Sequence, residues 1–321
     1  MNRLLLVLYI FAFSQAVNAG PSFIVPSTNA PNNAKEIVEI ADPGILLSIG
    51  FEGSFFNLGL MSQATDLIVA DIDPQVIALT KLNATLLENS QSGSVTSYQN
   101  HRLGHADISR YLTPEEYSTW STLLNGTLDR HWEYDINFVK TTLGYRILNG
   151  EYDHLDLYFN QQEQLRHVQK IASSKKVSAL QMDMLNIQDV KSLTDQLLLS
   201  GKRLSVVEIG NILKYATSID RTQVHFDHPD PASLLADVLE ELSLVLSPNA
   251  ILIQTGYNGS ETTYHGISIS YYLSLPKGVR SFYIETLFSE DLRPGMFKGP
   301  NDLHKIPDKT FTSFCEARFF W

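Results

Sequence analysis

One cysteine, Cys315, stands among 321 residues, so no disulfide forms within the chain and packing alone must hold its fold. Basic residues are also scarce: 24 Lys and Arg against 35 Asp and Glu leave a net charge of −11, and no lysine-rich stripe occurs. This argues against sequence-independent binding to nucleic acid, which relies on cations that neutralise phosphates. There is no Gly-x-Ser-x-Gly elbow, no lysine-bearing phosphate loop and no His-Glu-x-x-His. Their absence argues against a serine hydrolase, a P-loop phosphatase and a zinc protease. No internal repeat or low-complexity segment is present, and past the amino-terminal stretch no apolar run is long enough to cross a membrane. What the chain does have is apolar residues, 44% of it, enough for one large α/β domain with an insertion.

The amino terminus carries an address. Arg3 precedes the short apolar run Leu4 to Phe13, and Val17-Asn18-Ala19 supplies small residues before Gly20. This predicts a secretory signal peptide over residues 1–19, cleaved after Ala19, and a secreted or periplasmic product without stable membrane insertion. Residues 20–33, rich in Pro, Ser and Asn, read as an extended arm, and residues 34–321 as one domain. Sequons at Asn83, Asn125 and Asn258 are of a kind that arises often by chance. The terminal Phe319-Phe320-Trp321 reads as a docking tail.

The densest signal runs from Ile45 to Ala78. Ile45 to Ile49 is apolar on both faces, as a central parallel strand must be, and Gly50 and Gly53 mark a turn where backbone comes close to a ligand. Leu67 to Ala70 makes a second strand. Asp71 follows Gly50 by 71 − 50 = 21 positions, the place from which a carboxylate accepts hydrogen bonds from ribose hydroxyls. The same strand-turn-helix unit also occurs in sheets that bind nothing. Asp73-Pro74 then starts a helix over Gln75 to Leu87.

From about 92 to 160 the rhythm gives way to aromatic and polar text, read as a mainly helical insertion, with Thr113-Pro114-Glu115-Glu116 as one helix start. It lies either over a cleft or packed on the sheet by its aromatics. Asn160 caps the next helix. Strands are then predicted at Val177 to Gln181, ending at Met182-Asp183, and at Leu204 to Ile209, running into Gly210-Asn211. Between them Val190 to Leu199 is a helix stopped by Gly201. A further helix, Ser233 to Leu246, leads through the turn Ser247-Pro248-Asn249 to the strand Ala250 to Thr255. Gly266 to Leu275 and Arg280 to Phe288 read as an antiparallel pair across Pro276-Lys277-Gly278. The expected fold is a doubly wound α/β, with a seven-stranded, mostly parallel sheet, an antiparallel edge hairpin and a helical insertion.

This order of elements resembles the class I S-adenosylmethionine-dependent methyltransferases, a Rossmann-like family, over about residues 40–290 apart from the insertion. The resemblance implies S-adenosylmethionine as cofactor, with its methionine portion over Ile49, Gly50, Glu52, Gly53 and Ser54. It places the ribose at Asp71 beside Ile72, the adenine near Asp183 and Met184, and the methyl group facing Gly210 and Asn211. The family usually carries an acid two residues before the first glycine, where this chain has Ser48; Glu52 is the candidate to replace it. Spermidine-synthase-like aminopropyltransferases share the layout, but their proton-accepting aspartate has no clear match, Glu208 lying inside its strand.

His225-Phe226-Asp227-His228-Pro229-Asp230 holds enough ligands for zinc or calcium, yet lacks the helical spacing of two histidines, and a polar loop without metal is expected. His225, His228 and Asn211 are weak catalytic candidates. Two functions follow: a transferase using S-adenosylmethionine on an unidentified small-molecule or protein acceptor, or a secreted binding protein that kept the fold without the chemistry.

Overall fold

The computed structural model describes residues 38, 41–50, 52–72, 74–102, 106–125, 158, 161–210, 212, 231–258, 261–276, 280 and 315–318. The leader, the arm, the centre of the insertion, His225, His228 and the terminal Phe319-Phe320-Trp321 lie outside them. The chain opens with β1 (Gly44–Ile49), α1 (Glu52–Leu60), β2 (Ala64–Asp71) and α2 (Pro74–Asn89). It continues with α3 (Val95–Arg102), a 3₁₀ turn at Ser109–Tyr111, α4 (Pro114–Asn125) and α5 (Gln162–Ser173). Then come β3 (Val177–Gln181), α6 (Ile187–Ser200), β4 (Leu204–Glu208), α7 (Pro231–Leu242) and β5 (Leu246–Asn258). The last elements are β6 (Glu261–Ser268), α8 (Ile269–Ser274) and β7 (Cys315–Arg318).

The strands lie in the order β3-β2-β1-β4-β5-β6-β7. The first five are parallel to one another, β6 is antiparallel to β5, and the short β7 extends the edge antiparallel to β6. The mostly parallel, Rossmann-like α/β sheet with an antiparallel edge is thus as expected. Alternating side chains of β1 feed two cores: Leu46 packs with Phe55, Leu79, Leu82 and Val168, while Ile45 and Leu47 pack on the opposite face with Val190, Leu193 and Leu239. A leucine fully buried in this way contributes about 1.5–3 kcal/mol relative to exposure. Helices α1, α2 and α5 cover one face, and α6, α7 and α8 the other.

Local chemistry sets several ends. Thr113 and Glu116 form a reciprocal capping box on α4: the Glu116 N–H donates to Thr113 Oγ1 at 3.2 Å and the Thr113 N–H to Glu116 Oε2 at 2.9 Å. Thr85 of α2 donates to the other oxygen of Glu116, at 2.8 Å, so the cap also pins α4 to its neighbour. Thr113→Ala is expected to lower stability by about 1 kcal/mol, read as a shift in urea midpoint at unchanged slope. Gly201 ends α6 in the left-handed conformation, φ +66°. The helix expected after Asn160 has Gln161 at its cap position; Asn160 is outside the described residues.

Two expectations are corrected. Ser247-Pro248-Asn249 is not a turn ahead of β5 but a bulge within it: pairing passes from Leu204↔Leu246 to Val206↔Ile251, so β5 advances five residues while β4 advances two. A bulge is where a strand tolerates proline. Asn249 is held there by Asp42, whose two oxygens accept from the Asn249 backbone and side chain at 2.9 Å each, and these bonds pull the Asp42 carboxyl below its ordinary range. The edge hairpin also differs. β5 turns directly into β6, with Asn258↔Glu261 the last pair, and the alternation after Ile267 is a helix start: Ser268 caps α8, which buries Ile269 and Tyr272 three positions apart. Arg280 is helical, and residues 281–288 lie outside the described set.

The start and end of the insertion are packed rather than draped. Tyr98 of α3 and Tyr158 are both fully buried, with rings 5.9 Å apart, and Tyr158 also meets Phe55 of α1 at 6.2 Å. Their hydroxyls lie 2.8 Å apart over Asn83 of α2, which accepts from Tyr98 at 2.5 Å and donates to Tyr158 at 3.3 Å. Arg102 donates to Tyr158 at 3.1 Å. Asn83 is 2% exposed with both amide atoms engaged, which closes it as a glycan acceptor in the folded chain.

Candidate functional site

Between β1 and β3, α1, α2, α3 and α5 pack on one face of the sheet, and α6 and α7, which lead to β4 and β5, lie on the other. The winding therefore reverses between β1 and β4, and the carboxyl ends of those two strands lie at the place where open α/β sheets bind ligands. Gly50 follows β1 with φ +82° and Gly210 follows β4 with φ +53°. A non-glycine residue held left-handed costs about 1–2 kcal/mol, so glycine at both ends lets the two turns form without strain. A methyl group built on Gly50 would meet no heavy atom of the described residues within 4 Å, so among them the backbone there is open to approach.

Beneath these turns lies a polar cluster on an otherwise apolar face. Ser48 and Glu208 are register partners on β1 and β4, and both are buried, Glu208 to 4% exposure. Glu208 Oε2 lies 2.5 Å from Ser48 Oγ and accepts the Ile49 N–H at 3.3 Å; its Oε1 accepts the Gly210 N–H at 2.7 Å. One carboxyl therefore ties the residue before the first glycine to the second glycine. Ser54, in the first turns of α1, is fully buried, with its Oγ 2.8 Å from Ser48 Oγ and 2.5 Å from the Gly50 carbonyl. Burial pushes the Glu208 carboxyl from its ordinary 4.5 up to about 7, against the lowering effect of the Gly210 and Ile49 N–H groups from which it accepts.

Most of the sequence-predicted residues gather at this edge. Ile49 and Gly50 form the turn, and Glu52 opens α1 with Gly53 and Ser54 in its first turns. Ser54 faces inward to the brace, not outward to a ligand. Asp71 ends β2 half-buried, with Ile72 exposed beside it. Asp183 follows β3, and its Oδ1 accepts the Leu185 N–H at 2.8 Å while its own N–H donates to Asp189 at 3.0 Å. Met184 is core, 2% exposed among Met182, Leu185 and Val190. Asn211 lies outside the described residues, as does the side chain of Glu52. Sequence reading missed the pairing of Ser48 with Glu208. The available signal was an acid inside an apolar strand, which is stable only against a partner or with a proton.

The family described as a domain of unknown function (DUF7790) matches residues 47–225, which span β1 through β4 and this edge. No curated protein matches the chain significantly. Among solved structures, the rRNA methyltransferase aviRa from Streptomyces viridochromogenes at 1.5 Å is 14% identical with a TM-score of 0.35, over 74% of this chain and 78% of that one. The same enzyme at 2.4 Å gives 14% and 0.32, over 69% and 70%. The activity of that enzyme does not carry over at this level of likeness.

Proposed function

We propose that this chain, which belongs to the family described as a domain of unknown function (DUF7790), binds S-adenosylmethionine at the carboxyl ends of β1 to β4 and passes its methyl group to an acceptor. The observation that carries the reading is the pair of left-handed glycines, Gly50 and Gly210, closing adjacent strands at the reversal of winding, with Asp71 at the end of the next strand. The residues present suit the cofactor. The open backbone at Gly50 accommodates a chain pressed against it, and Asp71 offers a carboxylate where a ribose would lie. Asp183 follows the next strand outward, on the adenine side.

When bound, the cofactor supplies a methyl group on a sulfonium, already activated toward a nucleophile. The chain's own part is then to hold the two glycine turns, accept the ribose hydroxyls and exclude water, with little acid or base chemistry required. Secretion belongs to the same proposal: the leader read over residues 1–19 takes the enzyme to a compartment where cofactor must be supplied.

Calorimetric titration of the full chain with S-adenosylmethionine and with its demethylated product tests the reading. Binding in the micromolar range is expected, weakened at least tenfold in Asp71→Ala, equivalent to about 1.4 kcal/mol or more. Silence with millimolar ligand would leave a binding protein that kept the fold without the cofactor.

A further inference from the structure

We infer that Glu208 holds a proton in the resting protein and, as a positioning residue, anchors a hydrogen-bond chain that shapes the first glycine turn, a proton it gives up when a cationic ligand group enters that turn. The Gly50 carbonyl can only accept. Ser54 Oγ is 2.5 Å from it and must donate to it. Ser54 Oγ is also placed to donate to Ser48 Oγ, 2.8 Å away, but its single hydrogen cannot serve both contacts, so Ser48 must donate back to it. Ser48 in turn has no hydrogen left for Glu208 Oε2 at 2.5 Å, so the carboxyl must supply that one. Three short oxygen contacts need three hydrogens, and Ser54, Ser48 and a neutral Glu208 provide them. With an ionised Glu208, Ser48 would donate to the carboxylate and Ser54 would face two short contacts with one hydrogen.

The surroundings agree. Facing Glu208 are Ser48 and the Ile49 N–H from β1, Ser54 from α1 through Ser48, the Gly210 N–H, and the apolar Ile253 paired with it on β5. No charged side chain among the described residues acts on it. Of the other acids of this edge, Asp71 and Asp183 close β2 and follow β3, on the far side of β1, and the side chain of Glu52 lies outside the described residues. A neutral carboxyl in such a place loses its proton when a cation arrives beside it, because the new charge favours the carboxylate. The balance is simple: the proton passes from Glu208 to buffer, no covalent bond is made or broken, and the ligand's cation is left facing the carboxylate. This second step rests on the cofactor reading above, since S-adenosylmethionine carries both a sulfonium and an ammonium; the first does not.

The two steps are tested separately. In the ligand-free full chain at about pH 6, the infrared difference between wild type and Glu208→Gln should show the carbonyl stretch of an un-ionised acid, fading as pH rises. Carboxylate bands at that pH would overturn the proton. Glutamine keeps the shape and donates from its amide to Ser48, so the variant should stay folded while binding more weakly, because no carboxylate forms to face the cation. Titration with S-adenosylmethionine at about pH 6 in two buffers of different ionisation heat should then report about one proton released per site in wild type and none in Glu208→Gln. Binding without that difference would overturn the coupling while the cofactor reading stands. Absence of binding in both proteins would overturn the cofactor reading and the coupling with it, leaving the resting proton to the infrared result.

Discussion

Tyr158→Ala is expected to lower stability by about 3–5 kcal/mol, the range for truncating a fully buried aromatic. The position is more exacting than size alone suggests. Its ring packs on Phe55 and Tyr98, and its hydroxyl is shared by Asn83, Tyr98 and Arg102. Gly59 of α1 has no side chain because a methyl group there would come within 2.7 Å of the Tyr158 Cβ, so helix and tyrosine are matched in shape. Removing the ring opens a cavity and leaves a buried amide and hydroxyl short of a partner, two costs of different kind. Tyr158→Phe isolates the second and is expected to cost about 1 kcal/mol. Urea unfolding of both variants checks this: equal, small losses in the two would show that the segment before α5 is not docked on α1 and α2.

That the insertion's flanks are pinned by tyrosines was only half legible in the sequence. The aromatic density from 92 to 160 is visible, but aromatics in a lid over a cleft and aromatics in a core look alike in one dimension. The parallel strands were more readable. Ile45 to Ile49, Val177 to Gln181 and Leu204 to Ile209 are short apolar runs between helical periods, and burial on both faces leaves little else for such runs to be. The edge of the sheet was less so. Ile267, Ile269 and Tyr272 fit a strand by alternation and a helix by spacing, and the Ser268 cap that decides between them is a single hydroxyl. The Gly259-Ser260 pair between β5 and β6 was the better turn signal.

For the site, Gly50 and Asp71 were legible because their spacing follows from the length of one strand-helix-strand unit. The brace beneath was not. Ser48 and Glu208 are 160 positions apart and meet only because β1 and β4 are neighbours across the reversal of winding, a fact of topology that no local pattern records. Sequence reasoning sought a substitute for the missing acid nearby, at Glu52. The Glu52 side chain lies outside the described residues; against Ser48 the structure puts the Glu208 carboxyl, from the adjacent strand.

That carboxyl makes stability depend on pH in a direction opposite to most acids. Below about pH 4.5 Glu208 is protonated in both folded and unfolded chains, and its contribution is fully present. Between 4.5 and about 7 the unfolded chain has released the proton while the folded chain still holds it, so the folded state binds more protons and stability falls as pH rises. Above about 7 both are ionised and the loss is complete. A shift from 4.5 to about 7 corresponds to about 3 kcal/mol at the order-of-magnitude level. Other groups titrate in the same window, so the quantity to measure is the difference between wild type and Glu208→Gln, whose amide does not titrate. Urea midpoints at about pH 4.5 and about pH 8 should show the variant gaining on wild type by about that amount, with the two slopes equal. Parallel pH curves would mean that the Glu208 proton is shed as easily in the fold as outside it, and that the brace between the two glycine turns tolerates a buried charge.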